Sequence, residues 1–195
     1  MRRLTAAAVL YGGIVGTHVE SLTREQKMQR ISFPAVAQKD AHTLVLGSMP
    51  GEKSLLELQY YAHPRNLFWL FVAEAAGVPQ PVVYDAKLVM LKECGIAVWD
   101  VLSGCERAGS LDASIVKGSE QVNDIAGLVA RLPRLQRICF NGKKAYDSFI
   151  KLSDQRIKIP KHIELLALPS TSPANASISF AKKQAAWVSA LSNRN

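Results

Sequence analysis

Cysteine is scarce in this chain, and what there is does not pair. Cys94, Cys105 and Cys139 are odd in number and show no C-x-x-C spacing, so neither a disulfide framework nor a zinc or iron–sulfur site is supported. The thiols are expected to be reduced, as in a cytoplasmic protein. The chain also lacks an apolar run long enough to span a bilayer. Its nearest approach, Ala6 to Val15 behind Arg2 and Arg3, imitates a short signal peptide, but the charged stretch Glu20 to Arg30 follows and no A-x-A cleavage site comes directly after the run. Residues 1–30 are therefore expected to be a poorly ordered extension and residues 31–195 a single domain. No internal repeat, heptad or low-complexity tract occurs. Acidic residues are in deficit, 16 against 24 lysines and arginines, for a net charge of +8. That balance favours a polyanionic partner such as nucleic acid, with a merely basic soluble protein as the plain alternative.

What the chain does have is core: 195 residues, 48% of them hydrophobic, suffice for one compact domain and leave no room for a second sizeable one. Short apolar or β-branched runs predict strands at Thr43–Leu46, Ile96–Trp99, Arg137–Phe140 and Glu164–Leu168. Helices are predicted between them. Asn66–Ala76 is apolar nearly all round and stops at Gly77, Ser119–Leu132 has Ser119 as N-cap and Pro133 as stop, and Lys143–Leu152 and Phe180–Leu191 follow. Strands alternating with helices imply parallel βαβ units, hence a three-layer α/β/α sandwich around a central four-stranded parallel sheet.

The segment Gly47 to Trp69, GSMPGEKSLLELQYYAHPRNLFW, stands out. It follows the first predicted strand, where open α/β sheets place their ligands. Gly47 and Gly51 permit a sharp turn and close approach, and the amides between them, apart from Pro50, can point at developing negative charge. A second notable stretch, Leu168-Pro169-Ser170-Thr171-Ser172-Pro173-Ala174-Asn175, follows the last predicted strand. Asn141-Gly142-Lys143 lies between a strand and a helix N-terminus, a candidate anion site with a lysine beside it.

Together these stretches resemble the uracil-DNA glycosylase superfamily. The GSMPG and QYYAHPRNLFW strings resemble its first motif, and most of all that of the hypoxanthine-DNA (deoxyinosine) glycosylase branch, family 6. Leu168 to Asn175 resembles its second motif, the loop that enters the DNA minor groove, and GIAVWDVL and CERAGSLDASI also resemble that branch. The resemblance spans roughly Ile31 to Leu191. It implies the same three-layer fold, and a monofunctional DNA N-glycosylase that flips a deaminated base out of the stack and hydrolyses its glycosidic bond, with hypoxanthine first in line. Some uracil-removing branches hold an iron–sulfur cluster on four cysteines, which this chain cannot. A uracil or mismatch glycosylase, and a non-catalytic damaged-DNA or nucleotide-binding module on the same fold, stay open.

Removing a base requires that it be extruded, held, and allowed to leave with negative charge. By the resemblance, Tyr61 stacks on the flipped base, with core packing as the plainer role; Tyr60 stays open. Gly47, Met49, Pro50 and Gly51 shape the turn whose amides face the departing base. Ser48 stands where related branches carry Asn or an acid to handle water, and a serine hydroxyl has no useful basicity at neutral pH. Water positioning is therefore expected to pass to Asn66, which in the resembling branch carries catalysis and whose other role is to cap a helix. His63 is a candidate for a phosphate or carbonyl contact. Arg65, Gly142, Lys143, Ser170, Thr171, Ser172, Pro173 and Ala174 are the expected DNA contacts, and Ala174 replaces the long wedge residue of uracil-removing relatives. Asp100 and Asp112 are further acids, Asp100 a possible base. Lys53, in a solvated GEKS turn, is the single lysine of the first motif, so a Schiff-base mechanism has no obvious nucleophile. No metal or cofactor is expected, and the expected partner is damaged DNA, double- or single-stranded, met by a monomer without a membrane.

Overall fold

Side-chain alternation sorts the molecule into layers. Along the strand Thr43–Gly47 (β2), Leu44 and Leu46 pack on one face and Val45 on the other. Along Arg137–Asn141 (β6), Ile138 and Phe140 join the first face and Cys139 the second. Both faces are apolar because both are covered, as a parallel sheet requires. The computed structural model describes residues 28–156 and 159–192. The expected extension, residues 1–30, lies outside the described residues up to position 27. Its last three residues are not an extension, because Met28–Ile31 forms a strand (β1).

The main sheet has the order β3-β2-β6-β7, all parallel, where β3 is Ile96–Asp100 and β7 is Glu164–Leu168. All four predicted strands are present, and the sheet is the expected one. On one face lie the helices Phe68–Ala76 (α2), Tyr84–Glu93 (α3) and Phe180–Leu191 (α6), with Phe68, Phe71, Leu91 and Trp187 fully buried against Val45, Val98 and Cys139. On the other face lie Ile125–Ala130 (α4) and Lys143–Arg156 (α5), which bring Ile125, Leu128, Ala145 and Phe149 onto Leu44, Leu46 and Phe140. Burying a side chain of that size contributes roughly 1.5–3 kcal/mol.

Three features differ from expectation. A second, antiparallel sheet orders β1 with Leu102–Arg107 (β4) and Gln121–Val122 (β5); β4 follows β3 after the single residue Val101, so one uninterrupted extended stretch serves two sheets. The helix expected at Ser119–Leu132 is shorter. Residues 121 and 122 pair with β4 instead, Ser119 Oγ accepts from the Glu106 amide, and the cap is Asp124, which accepts from the Gly127 amide at 2.9 Å. Two helices were not foreseen: Glu52–Glu57 (α1), only 6 residues long, and α3, whose buried residues are only Met90 and Leu91, too few to mark a face.

In the parallel register Gly47 stands beside Asp100, and Asn141 beside Leu168. The segments leaving β2, β3, β6 and β7 therefore gather at one edge.

Candidate active site

At that edge lies a cavity of about 440 Å³, within the usual size of a small-molecule site. The Gly47–Gly51 turn, the Tyr61–Asn66 segment, the Ser110–Asp112 loop and the Ser170–Ala174 loop line it, with Asp100 and Asn141 behind.

The turn after β2 is built for close approach. A Cβ at Gly47 would collide with Asp100 Oδ1 and lie 3.3 Å from Tyr61 Oη, so only glycine lets both groups reach the cavity wall. The carbonyls of Gly47 and Ser48 accept from the amides of Val101 and Leu102 at 2.8 and 3.1 Å. The amides of Ser48 and Met49 donate to no acceptor among the described residues, which leaves them available to an anion. Pro50 has no amide, and its carbonyl accepts from the fully buried Arg107. That arginine braces the turn from below.

Tyr61 has a φ of +54°, a left-handed conformation that costs a non-glycine residue of order 1–3 kcal/mol and collects at functional sites. Its ring lies against Phe68, centroids 4.1 Å apart and planes at 35°, and Phe68 is held edge-on by Trp69 and Trp187. The Tyr61 hydroxyl is buried beside Asn141; burial first, then the nearby Asp100, raises its pKa, while Asn141 opposes the shift, so it stays a phenol. Tyr60 is the core residue of the pair. Its hydroxyl donates toward the carbonyls of Phe33 and Pro34, and its own carbonyl accepts from Trp69 Nε1 at 2.9 Å.

The His63–Asn66 stretch is a tight turn. The Asn66 amide donates to the His63 carbonyl at 2.8 Å, and the Arg65 amide to His63 Nδ1 at 3.1 Å. His63 thus shapes the turn as well as lining the cavity. The helix expected from Asn66 starts two residues later, at Phe68, and Asn66 Oδ1 accepts from the Phe68 amide at 3.0 Å. This engages one lone pair of the amide oxygen and leaves the second, and the Nδ2 hydrogens, to the cavity. Arg65 is exposed at the rim.

Asp100 is nearly sealed, with Oδ2 accepting from Ser32 Oγ at 2.7 Å. Burial pushes its carboxyl up to about 7; the negative charge of Asp112 adds to this, while the Ser32 bond and Arg107 oppose it. Ser48 Oγ donates to Asp112 Oδ1 at 2.7 Å. Lys53 reaches the cavity edge but pairs with Glu57 at 2.6 Å.

The far wall is held from within. Thr171 donates its amide to Asn141 Oδ1 and accepts from Asn141 Nδ2, both at 2.9 Å, while its carbonyl accepts from the Leu67 amide at 3.1 Å. Thr171 is fully buried, so its hydroxyl is held by Asn141 and is not presented to a phosphate as the sequence led us to expect, while its carbonyl joins the loop to Leu67. Ser170 and Ser172 accept the amides of Ser172 and Ala174, each at 3.2 Å, and line the cavity with Pro173 and Ala174. Gly142 and Lys143 do not line it. The Gly142 amide donates to Leu168 O, and a Cβ there would lie 2.9 Å from Ser170 Cβ, so this glycine serves close packing, with φ +96°. Lys143 points into solvent, 86% exposed, and pairs with Asp147 at 2.6 Å. The anion site expected at this turn is therefore not formed by these groups. Asn141 and Leu111 were not singled out from the sequence. Asn141 belonged to a turn read for its glycine and lysine, and Leu111, 56% exposed at the mouth, looked like any loop leucine.

An open parallel sheet whose carboxyl ends enclose a cavity roomy enough for a nucleobase, lined by free amides and a tyrosine, defines an α/β sandwich with its candidate site at the strand ends. Residues 33–191 match the family model of the uracil DNA glycosylase superfamily, and the chain belongs to that superfamily. A protein of Methanosarcina acetivorans named hypoxanthine DNA glycosylase is 39% identical over 151 residues, 76% of this chain and 89% of the relative. One of Methanosarcina barkeri with the same name is 32% identical over 167 residues, 84% and 99% of the two chains. The solution NMR structure of a Methanosarcina acetivorans protein described as a uracil DNA glycosylase superposes with a TM-score of 0.71 at 36% identity, covering 84% of this chain and 97% of that one.

Proposed function

We propose that the protein is a monofunctional DNA glycosylase of base excision repair that removes hypoxanthine from deoxyinosine and leaves an abasic site. The observation that carries this reading is the cavity wall on which the amides of Ser48 and Met49, without an acceptor among the described residues, stand with Tyr61, whose hydroxyl comes close at Gly47. The names of the two relatives support the choice of base. The extruded purine stacks on Tyr61, and its carbonyl oxygen accepts from the amides, which stabilise the negative charge gathering as the bond to the sugar breaks. One such donor is typically worth ~2.7–4 kcal/mol in the transition state. Asn66, its oxygen steadied by the Phe68 amide, directs water at the anomeric carbon with the remaining lone pair. His63, Pro50 and Gly51 shape the pocket, while Arg65 and the Ser170, Ser172, Pro173 and Ala174 rim meet the DNA backbone. The protein acts as a monomer in the cytoplasm.

The test is to incubate the protein with oligonucleotides bearing inosine, uracil, xanthine or ethenoadenine and to cleave abasic sites with alkali. Release from inosine is expected. Strong release of uracil with none from inosine would make it a uracil or mismatch glycosylase, and tight binding to inosine DNA without release would make it a non-catalytic damage-binding module.

A further inference from the structure

A serine hydroxyl is no base by itself, so Ser48 on the cavity wall can handle water only beside a carboxylate. Asp112, 64 residues away, supplies one: its Oδ1 accepts the Ser48 hydroxyl hydrogen at 2.7 Å, and both residues line the cavity. The two are held independently. Ser48 is fixed by its carbonyl on the Leu102 amide. Asp112 opens a short 3-10 turn, Asp112–Ser114, whose preceding residue pair is anchored where Ser110 Oγ accepts the Glu52 amide at 2.8 Å. About 40% of the Asp112 side chain remains accessible, so its second oxygen is not sealed into the core. Asp100, the other acid behind the cavity, is sealed and committed to Ser32.

A serine hydroxyl has one hydrogen and two lone pairs. With the hydrogen committed to a carboxylate, the oxygen can only accept from anything else in the cavity. Resting on the glycosylase reading above, we propose that Ser48 and Asp112 form a proton relay in which Ser48 Oγ binds the attacking water as an acceptor and Asp112, through Ser48, is the base that takes its proton. As the C1′–N9 bond breaks, its electron pair leaves with hypoxanthine, which takes a proton from solvent. The water oxygen bonds to C1′; its surplus proton passes to Ser48 Oγ as the serine proton passes to Asp112 Oδ1, and Asp112 later returns it to solvent. The relay complements Asn66, which aims the same water without accepting its proton. The groups facing Asp112 fit this duty. Ser48 comes from the β2 turn, Arg107 from β4 with Nη1 at 4.0 Å, Lys144 from α5, and the like charge of Asp100 stands at the end of β3. Burial raises the Asp112 pKa, and the Ser48 bond, Arg107 and Lys144 hold it back.

Single-turnover release from inosine DNA, measured across pH for wild type, Asp112→Asn, Ser48→Ala and the double variant, tests the relay. Asparagine still accepts the Ser48 hydrogen bond, so Asp112→Asn keeps the geometry and removes the base. General-base catalysis contributes about 10²- to 10⁴-fold, and a loss in that range is expected, with affinity for inosine DNA unchanged within about threefold. The wild-type rate should fall as pH drops through the raised carboxyl pKa, and Asp112→Asn should lose that limb. The double variant should be no slower than Ser48→Ala, because groups acting as one unit are not additive. An Asp112→Asn enzyme within threefold of wild type, or a double variant whose losses multiply, overturns the relay while leaving the glycosylase reading intact. Absence of inosine release by the wild type overturns both. Should Asp112→Asn fail to fold, judged by its melting transition, Ser48→Ala carries the test alone: a rate within threefold of wild type and an unchanged acid limb overturn the relay.

Discussion

The two walls of the cavity are made differently. The wall after β2 is strained, glycine-dependent and backed by buried charge: Tyr61 has positive φ, Gly47 admits no side chain, and Arg107 and Asp100 stand behind. The wall after β7 is a chain of short hydroxyl-to-amide bonds with exposed tips and no backbone residue of positive φ. Strain persists only where surrounding packing over-determines it, and here Phe68, Trp69 and Trp187 do so. On the proposed function, the first wall is accordingly where atoms are placed for chemistry, and the second is where a flexible polyanion is met.

If that division is right, substitutions on the first wall should affect rate and discrimination, and those at the rim only affinity. The largest effect is expected at Asn66→Ala. Base release should fall by about 10²-fold or more as the water loses its aim, against only the ~1 kcal/mol of stability lost with a helix-capping bond; single-turnover rates set beside melting curves check this, and a rate within a few-fold of wild type would reduce Asn66 to a cap.

Asp100→Asn probes the buried charge through stability. The folded protein holds this proton up to about pH 7, whereas the unfolded chain releases it near 3.8. The native state therefore binds the extra proton between those values, and stability falls as pH rises through the window. The variant, free of this loss, should be more stable than wild type at pH 8 by up to about 4 kcal/mol, and the gap should close by pH 4. Denaturant melts at the two pH values measure it.

Tyr61→Ala should remove roughly 1–3 kcal/mol of stacking and with it the preference for inosine-containing over undamaged duplex, read by competition binding. The smallest effect should come from the rim. Arg65→Ala should weaken both duplexes alike and lower the slope of log affinity against log salt by about 1. Lys143→Ala, whose ammonium is already paired with Asp147 and lies off the cavity, should leave the slope nearly unchanged. The reverse order would place the DNA over α5 and not over the Ser170–Ala174 loop.

Much of this molecule could be read before it was seen, because the four parallel strands are continuous apolar runs and the Gly47–Asn66 stretch is dense in residues of special conformation. The antiparallel sheet escaped because β4, LSGCER, has neither clean alternation nor a turn signal separating it from β3. Within the site, residues contributed by one segment were legible, Gly47, Tyr61 and Asn66 among them. Pairings across the chain were not. Nothing in the order of residues says that Ser48 meets Asp112, or that Thr171 spends its polar groups on Asn141 and Leu67. Lys143 and Gly142 misled because a strand-to-helix turn with glycine and lysine suggests an anion site, yet the fold uses the glycine for contact with Ser170 and turns the lysine along its own helix.

The clasp that Thr171 makes with Asn141 and Leu67 sets how the cavity can breathe. Its three hydrogen bonds tie a loop to the end of a central strand and to the residue before α2. The loop therefore has no independent hinge on its inner side. Its amide hydrogens at Leu67 and Thr171 should exchange with solvent on the slow timescale of the β6 strand, although both lie in irregular backbone, while those at Ser172 and Ala174 exchange fast. On the proposed function, a nucleobase entering between the walls meets an aperture held on its inner side by this clasp, and admission becomes a matter of how far the DNA bends and unstacks.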